Sequence, residues 1–128
     1  MGDIAALLER VRAAKGPDYE IDCEIAQALE FETTFSEDDG SCFVRFQPGA
    51  LIMLPVPSYT ASVDAALALV ERKLPGAEMK LQINGPDRDW QTACVRVSPL
   101  TMLCGECPTL PLAIVSALLQ ALKDSSHE

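Results

Sequence analysis

Five cysteines and one dense run of acids are the residues whose types and spacing could do chemistry in this chain of 128 residues. Cys104-Gly105-Glu106-Cys107 has the C-x-x-C spacing that lets two thiolates reach one Zn²⁺ or close a reversible disulfide. A structural zinc needs two further ligands, and Cys42 and Cys94 are the weak candidates; no second C-x-x-C or C-x-x-H pair accompanies them. The segment precedes Thr109, which reads as a helix cap, so CGECP is expected to be a loop feeding a helix. A thiol placed there gains nothing from a helix dipole. The N-terminus interleaves charge with apolar residues and lacks the pattern of a secretory signal, and the cysteine count is odd. Cys23, Cys42, Cys94, Cys104 and Cys107 are therefore expected to be reduced thiols, with no bound metal or cofactor.

The single histidine, His127, lies in a tail (124 to 128) expected to fray. No Ser-His-Asp, Cys-His or HExxH arrangement can be built on it. Glycines occur singly, without the spacing of a phosphate loop or a dinucleotide fingerprint. An enzyme using Cys104 or Cys107 would have no base to activate the thiol, so the expectation is a protein that is not an enzyme.

Charge is unevenly placed. From Asp18 to Asp39 there are nine acids and no Lys or Arg, while the rest of the chain balances, so this segment carries the whole formal net charge of −9. A chain without a basic stripe is not expected to bind a nucleic-acid backbone directly. On a helix, Asp18 with Asp22 and Glu20 with Glu24 flank the apolar stripe on its two sides, the ordinary pattern of a solvated helix. The functional alternative is an acidic face for a basic partner, carried by Glu20, Glu24, Asp38 and Asp39. Acids spaced i, i+4 on an exposed helix lack the burial that separates catalytic pKa values, and SEDDGS departs from the spacing of a calcium loop. A second site is conceivable around Trp90, Arg88, Arg96 and Tyr59, which could hold a nucleotide or metabolite between the subunits of a homodimer. Trp90 could equally close the edge of the core.

The elements that must position these residues follow from periodicity. Ile4, Leu7, Leu8, Val11 and Ala14 make one amphipathic helix stopped by Gly16-Pro17, and Ile21, Ile25, Ala28 and Leu29 make a second, capped by Asp18 and ending near Glu30. FETTF and CFVRF, separated by SEDDGS, read as a hairpin, and ALIMLPVP supplies a further short strand. A third helix starts at a Ser62 cap and stops at Pro75-Gly76. Residues 79 to 83 and 93 to 97 alternate as two half-buried strands joined across NGPDRD. LPLAIVSALLQALK, apolar almost all round, is expected to be a central helix capped by Thr109. No apolar run approaches the roughly 20 residues a membrane span needs. The reading is a single α+β domain over 1 to 128, soluble and cytoplasmic, with helices layered on a mainly antiparallel sheet.

GPDYEIDCEIAQAL, SYTASVDAALALVERKLPG, the short hairpin with Trp90 and CPTLPLAIVSALLQALK resemble the phage ABA-sandwich family, small proteins of phages and prophage-bearing bacteria. The likeness runs over about 16 to 123, and its most specific blocks are Pro-Ser-Tyr-Thr-Ala-Ser-Val-Asp-Ala-Ala and the Thr-x-Pro-Leu-Ala that opens the last helix. It implies a helix/sheet/helix sandwich and carries over no catalytic residue. FETTFSEDDGSCFVRF and CGEC are departures from the family pattern. Together these readings point to an accessory protein that binds an unknown protein partner.

Overall fold

A computed structural model describes residues 4–30, 32–36, 38, 41–46, 48–49, 51–82, 91–98 and 101–125. Helix α1 (Ile4–Ala13) turns Leu7, Leu8 and Val11 inward. Helix α2 (Tyr19–Leu29) begins where expected: Asp18 is extended and its carboxylate accepts from the Glu20 and Ile21 amides at 2.9 and 3.3 Å. Strands β1 (Glu32–Phe35), β2 (Cys42–Arg45) and β3 (Leu54–Pro55) form a small antiparallel meander. Helix α3 (Val63–Lys73) starts at Ser62, whose hydroxyl accepts from the Ala65 amide at 3.2 Å, and the chain leaves it through Gly76 at φ 77°. Strands β4 (Met79–Gln82), β5 (Gln91–Ser98) and β6 (Thr101–Cys107) form a second antiparallel meander, and α4 (Leu110–Ser125) closes the chain.

The architecture is α+β and layered, with helices packed on antiparallel sheets. Helix α4 lies between β5 and β6 on one side and α1 and α3 on the other. Its residues Leu112 to Leu119 are consecutively buried, which is why its sequence is apolar almost all round. One core cluster runs from Leu7 and Val11 through Ile25 and Val44 to Ala93 and Leu118, so both sheets share it.

Two expectations for the last third of the chain are corrected. CGEC is no loop: Cys104 to Cys107 are the last four residues of β6, paired with Gln91 to Cys94 of β5. Thr109 accepts the first helical bond through its carbonyl, from the Ala113 amide at 3.0 Å, but its buried hydroxyl has no partner, so it caps by backbone alone. The NGPDRD turn, the Asp39-Gly40 pair and His127 lie outside the described residues.

Candidate functional site

The acidic segment is dispersed by the fold. Asp22 is buried, and its Oδ1 accepts from the Thr60 amide at 2.8 Å and the Thr60 hydroxyl at 2.9 Å. The Asp18 amide in turn donates to Thr60 Oγ1 at 2.8 Å, so the start of α2 is tied to the turn that precedes α3. Glu30, at the C-terminus of α2, is also buried; its carboxylate pairs with Arg72 at 3.2 and 2.5 Å and accepts from the Tyr59 hydroxyl. On the surface, Arg10 pairs with Glu20 at 3.8 Å and with Glu24, and Arg45 pairs with Glu32 at 3.4 Å. Three arginines from elsewhere in the chain thus fold back onto an acid run that contains no base of its own. Asp38 stays exposed in the β1–β2 turn, and Asp39 lies outside the described residues.

Burial lifts the Asp22 carboxyl above its ordinary value of 3.8, with the Thr60 hydrogen bonds opposing the shift. A carboxyl whose folded pKa is raised favours the fold when protonated, and that contribution is lost as pH rises through the folded pKa. Asp22→Asn keeps the Oδ1 acceptor and cannot ionise. Its stability relative to the native chain is therefore expected to improve from about pH 3 to about pH 7, as measured by urea denaturation at both ends of that window. A relative stability that worsens toward neutral pH would contradict the burial argument.

The remaining sequence candidates do not converge. Tyr59 is fully buried with its hydroxyl held by Glu30, so it lines no surface. Arg96 pairs with Glu78 at 2.9 Å. Trp90 and Arg88 lie outside the described residues. The four cysteines weighed as zinc ligands are scattered for a simple reason. Positions 104 and 107 are an odd number apart on one strand, so their side chains point to opposite faces. Cys107 is buried under α4, whereas Cys104 is exposed and joined by a disulfide to Cys94, its direct partner across β5 and β6. This corrects the expectation of five reduced thiols. Cys42 is a buried free thiol on β2 beside Cys23, and burial pushes its pKa up to about 11. Burial also raises the Cys107 thiol, against the Ser116 hydroxyl and the charge of Arg12. No group of three or more His, Cys, Asp or Glu able to hold a metal occurs among the described residues.

Among the described residues the fold also leaves large apolar side chains open. In the β1–β3 register Phe35 faces Cys42, and Thr33, Val44 and Leu54 stand in one row, so these five share a face. Cys42 and Val44 at its centre are buried, while Phe35 and Leu54 on the edge strands remain 44% and 49% exposed. Leu51 and Ile52, in the connection before β3, are 96% and 72% exposed. Half-exposed Tyr19 reaches the same place from α2, its hydroxyl accepting from the Cys42 amide at 2.8 Å. Sequence reasoning placed 31 to 35 and 50 to 57 in strands without seeing that their apolar residues outnumber what α2 can cover.

No protein-family model matches the chain, and no curated protein matches it. Among solved structures, the chain is similar to a phage protein from Bacillus cereus ATCC 14579. The two share 19% identity at a TM-score of 0.54, over 85% of this chain and 94% of the other. At that identity the likeness shows a common fold. Among the described residues no helix is long and apolar enough to cross a membrane.

Proposed function

We propose that this is an accessory protein of phage origin that acts by binding rather than by catalysis, docking a protein partner on the uncovered rim of the β1–β3 sheet. The observation that carries the reading is the exposure of Phe35, Leu51, Ile52 and Leu54 around a sheet whose core face is covered only at its centre. Single exposed apolar residues are ordinary, but four gathered on one small sheet and the connection into it mark an interaction site. Charge selects the occupant. The chain carries a net −9, Asp38 follows Phe35 closely, and exposed Glu20 adjoins Tyr19, so a surface with an apolar centre and a basic rim fits. A second copy would bring the same acids into contact. The phage source of the protein that shares the fold supports the origin. The buried free thiols, two of them with raised pKa values, and the structural engagement of Glu30 and Tyr59 support a non-catalytic role.

The test is a photo-crosslinking residue at position 52, with a control at exposed Glu71 on α3. In extracts of the cells that make the protein, position 52 should yield one discrete foreign polypeptide whose crosslinked peptide is basic. The product should be absent from position 71, lost with Leu54→Asp and weakened by salt. Identical products from both positions, a crosslink to a second copy, or no product would each overturn the proposal.

A further inference from the structure

The outer face of the β4–β6 sheet carries a group that the docking surface does not use. Register places Lys80, Cys94 and Cys104 in one row across β4, β5 and β6, with Thr92 and Glu106 in the next row and Arg96 and Met102 on the other side. Cys104, Met102, Glu106 and Lys80 are exposed and Cys94 is half-buried, whereas the opposite face, with Ala93, Val95, Gly105 and Cys107, is buried toward α4. Among the described residues, the disulfide therefore sits on the solvent side of a sheet whose helix packing is on the other side. It also joins residues already held by strand pairing that continues beyond them, from Gln91↔Cys107 at one end to Ser98↔Thr101 at the other.

We propose that Cys94–Cys104 is a surface thiol–disulfide exchange site, opened and closed by dithiols while the fold stays intact. The thiolate of a dithiol attacks the exposed Cys104 sulfur, the Cys94–Cys104 bond breaks, and Cys94 leaves as a thiolate and takes a proton. The reductant's second thiol then attacks the mixed disulfide and releases Cys104, which is protonated in turn. The reductant is oxidised to its disulfide and the protein gains two electrons and two protons. Lys80, beside Cys94 on the neighbouring strand, stabilises the leaving thiolate. Glu106, two residues from Cys104 on the same face, repels negative charge on the attacker, so dithiothreitol, whose thiolate is its only charge, is the better substrate and glutathione, with a further net negative charge, the poorer.

The native chain is incubated with dithiothreitol, alkylated without denaturant and weighed intact, with circular dichroism recorded in parallel. Two alkyl groups per chain, both at Cys94 and Cys104, with unchanged spectra are expected, because Cys23, Cys42 and Cys107 are buried. Air or a disulfide oxidant should restore the unlabelled mass. Lys80→Glu should slow reduction about 3-fold, the effect of a leaving-group pKa raised by roughly one unit. The Cys94→Ser, Cys104→Ser chain should fold and take no label. Labelling that appears only with denaturant, spectra that collapse as the bond opens, or five free thiols in the isolated oxidised chain would each overturn the proposal.

Discussion

Gly105→Ala should destabilise the protein by about 3 kcal/mol and lower its Tm by roughly 10 °C, a large effect for one methyl group. A Cβ on Gly105 would stand 2.7 Å from the Ala113 carbonyl oxygen, 2.7 Å from Ser116 Cβ and 2.8 Å from the Ala117 amide nitrogen. Backbone and Cβ atoms of α4 cannot swing aside as a flexible side chain would. Relief requires moving the helix, and α4 packs against β5, β6, α1 and α3, so a shift at one contact opens the others. Gly105 is needed for close approach, not for an unusual backbone conformation: Gly76 is the described glycine with positive φ. Gly16→Ala and Gly49→Ala are the controls, since nothing lies within 4 Å of either Cβ position, and each should change stability by less than about 0.5 kcal/mol. Ser116→Gly removes only one of the three clashes and should rescue Gly105→Ala only in part. A urea midpoint for Gly105→Ala within error of the native value would refute the close approach.

The same glycine shows where sequence reasoning stopped. Helices were legible because α1, α2 and α3 carry a 3.6-residue apolar pattern and because starts are marked locally, as by Asp18 before α2 and Ser62 before α3. The hairpin of β1 and β2 was legible from its aromatic and β-branched residues. Strand β6 was not. Thr-Met-Leu-Cys-Gly-Glu-Cys alternates too weakly to announce a strand, its glycine reads as a breaker, and its C-x-x-C spacing suggests a loop motif. Only the partner strand and the small residues of α4 at 113, 116 and 117 reveal what Gly105 is for, and the disulfide needs the same cross-strand register. The partners of the acids were hidden for a related reason. Nothing local to the segment 18–39 says that Arg10, Arg45 and Arg72 return to it, or that Thr60 takes Asp22 out of solvent. The apolar rim of Phe35, Leu51, Ile52 and Leu54 depends on how much surface α2 covers, a tertiary quantity with no sequence period.

Glu30 is the position where losing a charge should be most damaging. Its side chain is 1% exposed against 29% for Arg72, so the carboxylate depends on the guanidinium and on Tyr59 for its hydrogen bonds. Arg72 also lies 4.4 Å from the centroid of the Phe46 ring, which fixes the guanidinium plane over β2's end and joins α2, α3 and the small sheet at one point. Glu30→Ala strands the Tyr59 hydroxyl in the core and leaves Arg72 half-buried without its anion. The expected loss is about 3 kcal/mol, the lower end for a broken buried pair because Arg72 keeps some access to water. Tyr59→Phe removes one donor from an oxygen that Arg72 still serves and should cost about 1 kcal/mol. The discriminating variant replaces both charges: Glu30→Met with Arg72→Met leaves no unpaired ion and fills similar volume. Its loss should be smaller than the sum of the two single replacements by at least about 1 kcal/mol in a denaturation cycle. Additive losses would mean that the ion pair contributes through two independent packing contacts, and the junction would then be held by shape instead of by charge.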